Sequence, residues 1–117
     1  MPAGTTPFKW IMENRMRVPT VVLPFSGTIA VDASLSNSFS IAATSNTAST
    51  VTVTNPVAGL TYTFLITADG TGGNVFTFST GFRVTGTLTT TASKVMAITF
   101  ESDGVSLIES SRTVAIT

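Results

Sequence analysis

The sequence predicts an all-β domain, a single β-sandwich or jelly-roll-like body over residues 26–117, preceded by an N-terminal arm over residues 1–25 with at most one short helix. Three observations carry this. Apolar residues alternate with Thr and Ser at a period of two, the pattern of a sheet with one face in and one face out. Turn residues rich in Gly, Asp and Asn separate the alternating runs at short intervals. No apolar stripe of helical period occurs beyond residue 25.

Taken in order, strands are expected near 28–32, 37–44, 49–54, 60–68, 74–79, 81–85, 93–101, 104–110 and 112–116. Phe39 and Ile41 alternate with Ser38 and Ser40. Val51 and Val53 alternate with Thr50, Thr52 and Thr54. Tyr62, Phe64 and Ile66 alternate with Thr61, Thr63 and Thr67, with Leu65 breaking the polar row. Phe76 and Phe78 flank Thr77, and Met96, Ile98 and Phe100 flank Ala97 and Thr99. The inward row is therefore expected to hold Phe39, Ile41, Val53, Phe64, Ile66, Phe76, Phe78, Ile98, Phe100 and Leu107. Between the runs stand Asn55-Pro56, Ala58-Gly59, Asp69-Gly70-Thr71-Gly72-Gly73-Asn74, Thr80-Gly81, Thr85-Gly86 and Asp103-Gly104. Such dipeptides supply the positive φ that tight turns need. Burying a Phe side chain is worth about 1.5–3 kcal/mol, so the eight Phe of the chain, at least six of them in the alternating rows, suffice for one core without disulfides.

The arm differs in composition. It carries four of the five prolines (Pro2, Pro7, Pro19 and Pro24), three of the six basic residues (Lys9, Arg15 and Arg17), three of the four Met and the only Trp, Trp10. Residues 8–17 could form two to three helical turns, with Thr6 as N-cap, Pro7 at the first helical position and Pro19 as the stop. The alternative is an extended arm with proline-imposed steps. A helix this short is marginal alone and needs something to dock on. Aromatic, Met and Arg side chains are those that anchor interfaces, so Phe8, Trp10, Ile11, Met12, Arg15, Met16 and Arg17 are the expected partner-binding residues, on this protomer or a neighbour.

Composition narrows the chemistry. Charged residues make up 10% of the chain and the formal net charge is zero, while Thr and Ser together fill about 30% of it. Free monomers usually keep their charge away from zero, so a chain like this reads as a protomer packed beside copies of itself or a partner. With no Cys and no His, disulfides, thiolate metal sites, thiol nucleophiles and imidazole general bases are excluded. Glu101 and Asp103, with Glu109 beyond, are the nearest approach to a catalytic carboxylate pair. The turn dipeptide Asp103-Gly104 and a solvated strand end account for them better. The loop from Asp69 to Gly73 lacks the Gly-Lys-Ser/Thr ending of a phosphate cradle, and one carboxylate is thin for Ca²⁺. Three arm cations would neutralise few phosphates, which argues against nucleic acid, and no run approaches the ~18 apolar residues of a membrane span. No catalytic residue, metal or cofactor is expected. A Cys-free chain without a secretory leader is expected to be made and assembled in a cytoplasm.

One resemblance stands beside this reading. It rests on Gly27-Thr28-Ile29 with Asp32-Ala33, then Phe39-Ser40-Ile41, Asn55-Pro56, and Gly59-Leu60-Thr61-Tyr62-Thr63-Phe64. Asp69-Gly70-Thr71-Gly72-Gly73, Phe76-Thr77-Phe78 and Gly81-Phe82-Arg83-Val84 follow, with Ser102-Asp103-Gly104 and Ser111-Arg112 near the end. This order resembles a β-domain of tailed-bacteriophage structural proteins. Phe78 and Ala68 depart mildly from the family's pattern, and the arm falls outside it. The resemblance implies a virion structural role without enzymatic residues. The first form of that role is a capsid decoration, or cement, protein. It would anchor by its arm to the major capsid protein or another virion protein and stabilise the head lattice. The alternative is a tail-fibre, baseplate or tailspike-type module that binds a receptor. It also implies a homo-oligomer, a trimer, located in the virion. Trp10 and Tyr62 are the only Trp and Tyr and neither lies in a domain loop, which counts against a sugar-binding platform.

Overall fold

The computed structural model describes residues 19–44 and 46–116, with side chains through Thr113. Ten strands form: β1 (Val21–Leu23), β2 (Thr28–Asp32), β3 (Ser38–Ala43), β4 (Ser49–Thr54), β5 (Thr61–Ala68), β6 (Val75–Phe78), β7 (Phe82–Arg83), β8 (Leu88–Thr89), β9 (Val95–Ser102) and β10 (Leu107–Ile116). A six-stranded sheet has the order β1-β3-β5-β9-β10-β7, and a four-stranded sheet the order β2-β4-β6-β8.

The sandwich or jelly-roll expectation is overturned by the way these strands pair. β1, β3 and β5 lie parallel in the larger sheet, and β2, β4 and β6 lie parallel in the smaller one. From β1 to β6 each consecutive pair gives one strand to each sheet, so the chain winds as a β-solenoid of about three turns. Parallel neighbours need a crossover, and here the opposite sheet supplies it in place of a helix. The alternation at period two is the same in both folds, because both bury one face of each of two sheets. Pattern alone does not say which strand lies beside which. The coil length also varies. Eighteen residues separate Val21 from its partner Phe39, and twenty-five separate Phe39 from Phe64. That irregularity conceals the repeat that normally betrays a solenoid.

The last strands close the C-terminal end of the coil. β9 runs antiparallel to β5, β10 antiparallel to β9, and β8 antiparallel to β6. The expected break between residues 110 and 112 is a register shift between Glu109 and Ser111 within one strand. The strand expected over 81–85 shortens to Phe82–Arg83, and β8, in a Thr-rich run without alternation, was not anticipated. β1 lies within the stretch read as arm. Leu23 is buried and Phe25 packs on Phe76 with ring centroids 6.0 Å apart, so the folded body begins before residue 26. The expected helix over 8–17, with its Thr6 cap, lies outside the described residues.

The core is built of rungs. Val21, Phe39, Phe64 and Ile98 stand in register across the larger sheet, followed by Leu23, Ile41, Ile66 and Met96. Ile29, Val51 and Phe78 face them from the smaller sheet. All ten residues expected to point inward are buried. Phe64 is the hub. Its ring lies 5.1 Å from Phe39, 5.5 Å from Phe100, 5.9 Å from Phe82 and 6.1 Å from Phe78, so it bonds the two sheets through edge and stacked contacts. Gly81 permits the turn into β7. At its φ of +89°, an added Cβ would stand 2.5 Å from Val53 Cγ1 and 2.8 Å from the Val53 carbonyl oxygen.

Candidate interaction surfaces

Two kinds of surface stand out, both made by the coil. The first is the outer side of the sheets. In the larger sheet the register places Val22, Ser40, Leu65, Ala97 and Thr113 in one outward row. The row of Ser38, Thr63, Thr99 and Ser111 lies on one side of it and that of Ala42, Thr67 and Val95 on the other. In the smaller sheet Thr28, Thr50 and Thr77 form an outward ladder. None of these residues is charged, and Val22 is 73% exposed. The charges are pushed to the margins. Asp32, Arg83 and Glu101 stand at strand ends, Asp69, Lys94 and Asp103 in turns, and Glu109 and Arg112 in the last strand. Small and β-branched residues fill these rows, and the next outward row of the larger sheet, Thr61, Glu101, Ile108 and Arg83, carries the first charges.

The second surface is a groove of about 500 Å³ at the corner where β2 turns into β3 and β4 into β5. It is lined by residues 33–37 together with Val57 and Leu60. Leu35, Val57 and Leu60 are apolar and exposed, Leu35 by 64%. Tyr62 holds the two turns together from beneath. Its fully buried hydroxyl donates to the Ala33 carbonyl at 2.9 Å and accepts from the Val57 N–H at 3.2 Å. The third turn of this corner packs alongside, with Gly104 against Ala58 and the Gly59 N–H donating to the Ser102 carbonyl at 3.0 Å. Pro19, the first described residue, reaches the same corner, where its carbonyl accepts the Ser36 hydroxyl at 2.8 Å.

The carboxylates weighed as chemistry are engaged in structure. Asp69 Oδ1 accepts the Thr71 and Gly72 N–H groups, which caps the Gly-rich turn. Asp103 Oδ1 accepts from the N–H groups of Ser106 and Val105, and these hold its carboxyl below the ordinary value. Asp32 is likewise lowered, by the Ser34 hydroxyl first and then by the Asn55 amide and the Ser34 N–H. Glu101 accepts the Thr61 hydroxyl at 2.6 Å on the outer side of the sheet and is not brought together with Asp103. Glu109 and Arg112 form a clamp at the open edge between the sheets. Arg112 Nε lies 2.6 Å from Glu109 Oε2, and its other nitrogens donate to Glu109 Oε1 and to the Thr85 and Thr87 carbonyls. The guanidinium hydrogen bond lowers the Glu109 pKa and raises that of Arg112. Among the described residues no group of three or more acidic side chains is placed to hold a metal ion. No helix among them is long and apolar enough to cross a membrane.

The arm residues Phe8, Trp10, Ile11, Met12, Arg15, Met16 and Arg17 lie outside the described residues. The groove was missed in the sequence because its residues come from separate turns. Its one signal is that Leu35 and Val57 are apolar residues inside turn segments, where nothing in the alternation calls for them, while Leu60 falls in phase with the inward row of the strand expected over 60–68. Comparison with protein-family models, curated proteins and solved structures finds no match.

Proposed function

We propose that this protein is a structural component of a larger assembly, a bacteriophage virion protein of the capsid-decoration kind, with the tail-fibre or baseplate module as the alternative. The observation that carries the reading is the set of adjoining uncharged rows on the outer faces of the solenoid. A protein that stays free in solution gains from charge spread over its surface. Here the charges sit at corners and margins, while the central outward rows present Thr, Ser, Ala, Val and Leu. Such faces meet a like surface with little desolvation of charge, and a standard interface buries about 800 Å² per partner. The faces therefore serve self-association or packing on a lattice of neighbours, and the resemblance of the residue order to phage structural β-domains supplies the setting. Among the described residues the carboxylates are each engaged in turn, strand or clamp hydrogen bonds.

The experiment is sedimentation of the purified protein over a concentration series, alongside the Leu65→Lys variant and co-sedimentation with undecorated phage heads. The reading expects an oligomer or head-bound protein in the native form and loss of that association when a lysine is placed mid-face. Leu65 is exposed, so the variant keeps its fold. A native protein that is monomeric throughout and leaves heads bare overturns it.

A further inference from the structure

We propose that the corner groove is the seat of this chain's own N-terminal segment, residues 8–16, folded back on its own body. The inference goes beyond the assembly reading and holds whether or not the outer faces associate.

The place where the chain enters the described body is the first argument. Ser36 lines the groove and binds the Pro19 carbonyl at 2.8 Å, and Thr20 and Ser38 share a hydroxyl hydrogen bond at 2.9 Å. The described chain therefore begins at the groove itself, with eighteen residues preceding Pro19 in the sequence. The nine steps from Trp10 to Pro19 span at most about 30 Å when fully extended, so Trp10, Ile11, Met12 and Met16 all reach it in cis without a second chain.

Chemistry is the second. The groove offers exposed Leu35, Val57 and Leu60, which lower the free energy by leaving water, and the segment offers Phe8, Trp10, Ile11, Met12 and Met16. Charge adds to this. The segment and its flank carry Lys9, Arg15 and Arg17 against Glu13 alone, while Asp32 and Asp103 stand on the turns beside the groove, with Arg83 the basic group near Asp103.

The third argument is the architecture. A solenoid exposes unpaired backbone and apolar surface at its ends and needs a cap at each. The C-terminal end has one in the antiparallel strands β8, β9 and β10. At the other end β1 and β2 are edge strands, each with one neighbour among the described strands. Pro19 lies at that end of the coil, bonded to Ser36 in the corner turn that follows β2.

Two measurements test this. Trp10 is the only Trp, so intrinsic emission reports its surroundings without a label. The proposal expects blue-shifted emission, protected from acrylamide and unchanged across a wide dilution series. In the double variant Leu35→Asp, Leu60→Asp the emission should move to that of free tryptophan, with the strand circular-dichroism spectrum retained. Emission like that of free tryptophan in the native protein, or emission indifferent to the groove variant, overturns the proposal. Because the chain has no Cys, a pair introduced at Val57 and at Ile11, Met12 or Met16 is the only one that can oxidise. An intramolecular disulfide in at least one pairing is expected. Covalent dimer as the main product, or no disulfide in any of the three, overturns it.

Discussion

Truncating Phe64 to Ala removes the ring at the centre of the core, and the structure sets the expected cost. The side chain is fully buried, and four other rings lie with centroids 5.1–6.1 Å away. β5 is paired on both sides, with Phe39 and Ile98 as its register partners, so its backbone cannot move inward to refill the space. Phe→Ala changes in cores cost about 3–5 kcal/mol, and a site that cannot collapse falls at the upper end, about 4–5 kcal/mol. For a body of this size each kcal/mol lowers Tm by about 4–8 °C, which gives a fall of about 16–40 °C. Phe64→Leu keeps most of the apolar volume and loses chiefly the ring–ring terms, about 0.5–1.5 kcal/mol per pair, so it should fall well between native and Ala. Thermal and urea unfolding followed by far-UV circular dichroism read both variants. A loss under about 1 kcal/mol for the Ala variant would refute the argument, because a one-residue shift in register would place position 64 on the outer face.

Three further outcomes follow from the geometry. Gly81→Ala should destabilise by at least about 2 kcal/mol, from positive φ and collision with Val53, whereas Gly86→Ala, with φ of +65° and open space, should cost only about 1–2 kcal/mol; paired urea titrations compare them. Tyr62→Phe leaves the Ala33 carbonyl and the Val57 N–H without their partner and should cost about 1–3 kcal/mol, with faster hydrogen exchange at Val57. The Glu109 carboxyl is held below its ordinary 4.5, so its contribution to stability is full above that value and is lost as the pH falls through the lowered one. Arg112→Met should therefore cost about 1–3 kcal/mol at neutral pH and flatten the acid limb of the stability profile, with the Glu109 carboxyl titrating nearer 4.5 by NMR.

The interior was legible in the sequence because in and out along a strand is a local property. Side chains two apart share a face whatever the strand pairs with, so Phe39, Ile41, Phe64, Ile66, Ile98 and Phe100 could be placed inside before any neighbour was known. Turn chemistry is local too, and Asp69, Asp103 and the positive-φ glycines at 59, 72, 73, 81, 86 and 104 occupy turns as their residue types demand.

Only the tertiary structure decided which strands lie side by side. Parallel stacking of Phe39 on Phe64 closes a loop of twenty-five residues through the opposite sheet, and no local signal distinguishes that from an antiparallel hairpin partner. The same holds for the sites. Leu35, Val57 and Leu60 become one groove because two coils turn at the same corner and Tyr62 ties those turns together. Glu109 and Arg112, three residues apart, would face opposite sides of a regular strand. The register shift between Glu109 and Ser111 turns both toward the gap between the sheets, where they meet each other and the Thr85 and Thr87 carbonyls. Alternation is written residue by residue, whereas pairing is a choice among distant strands made by total burial, so the sequence alone determined the faces and the assembled coil determined the neighbours.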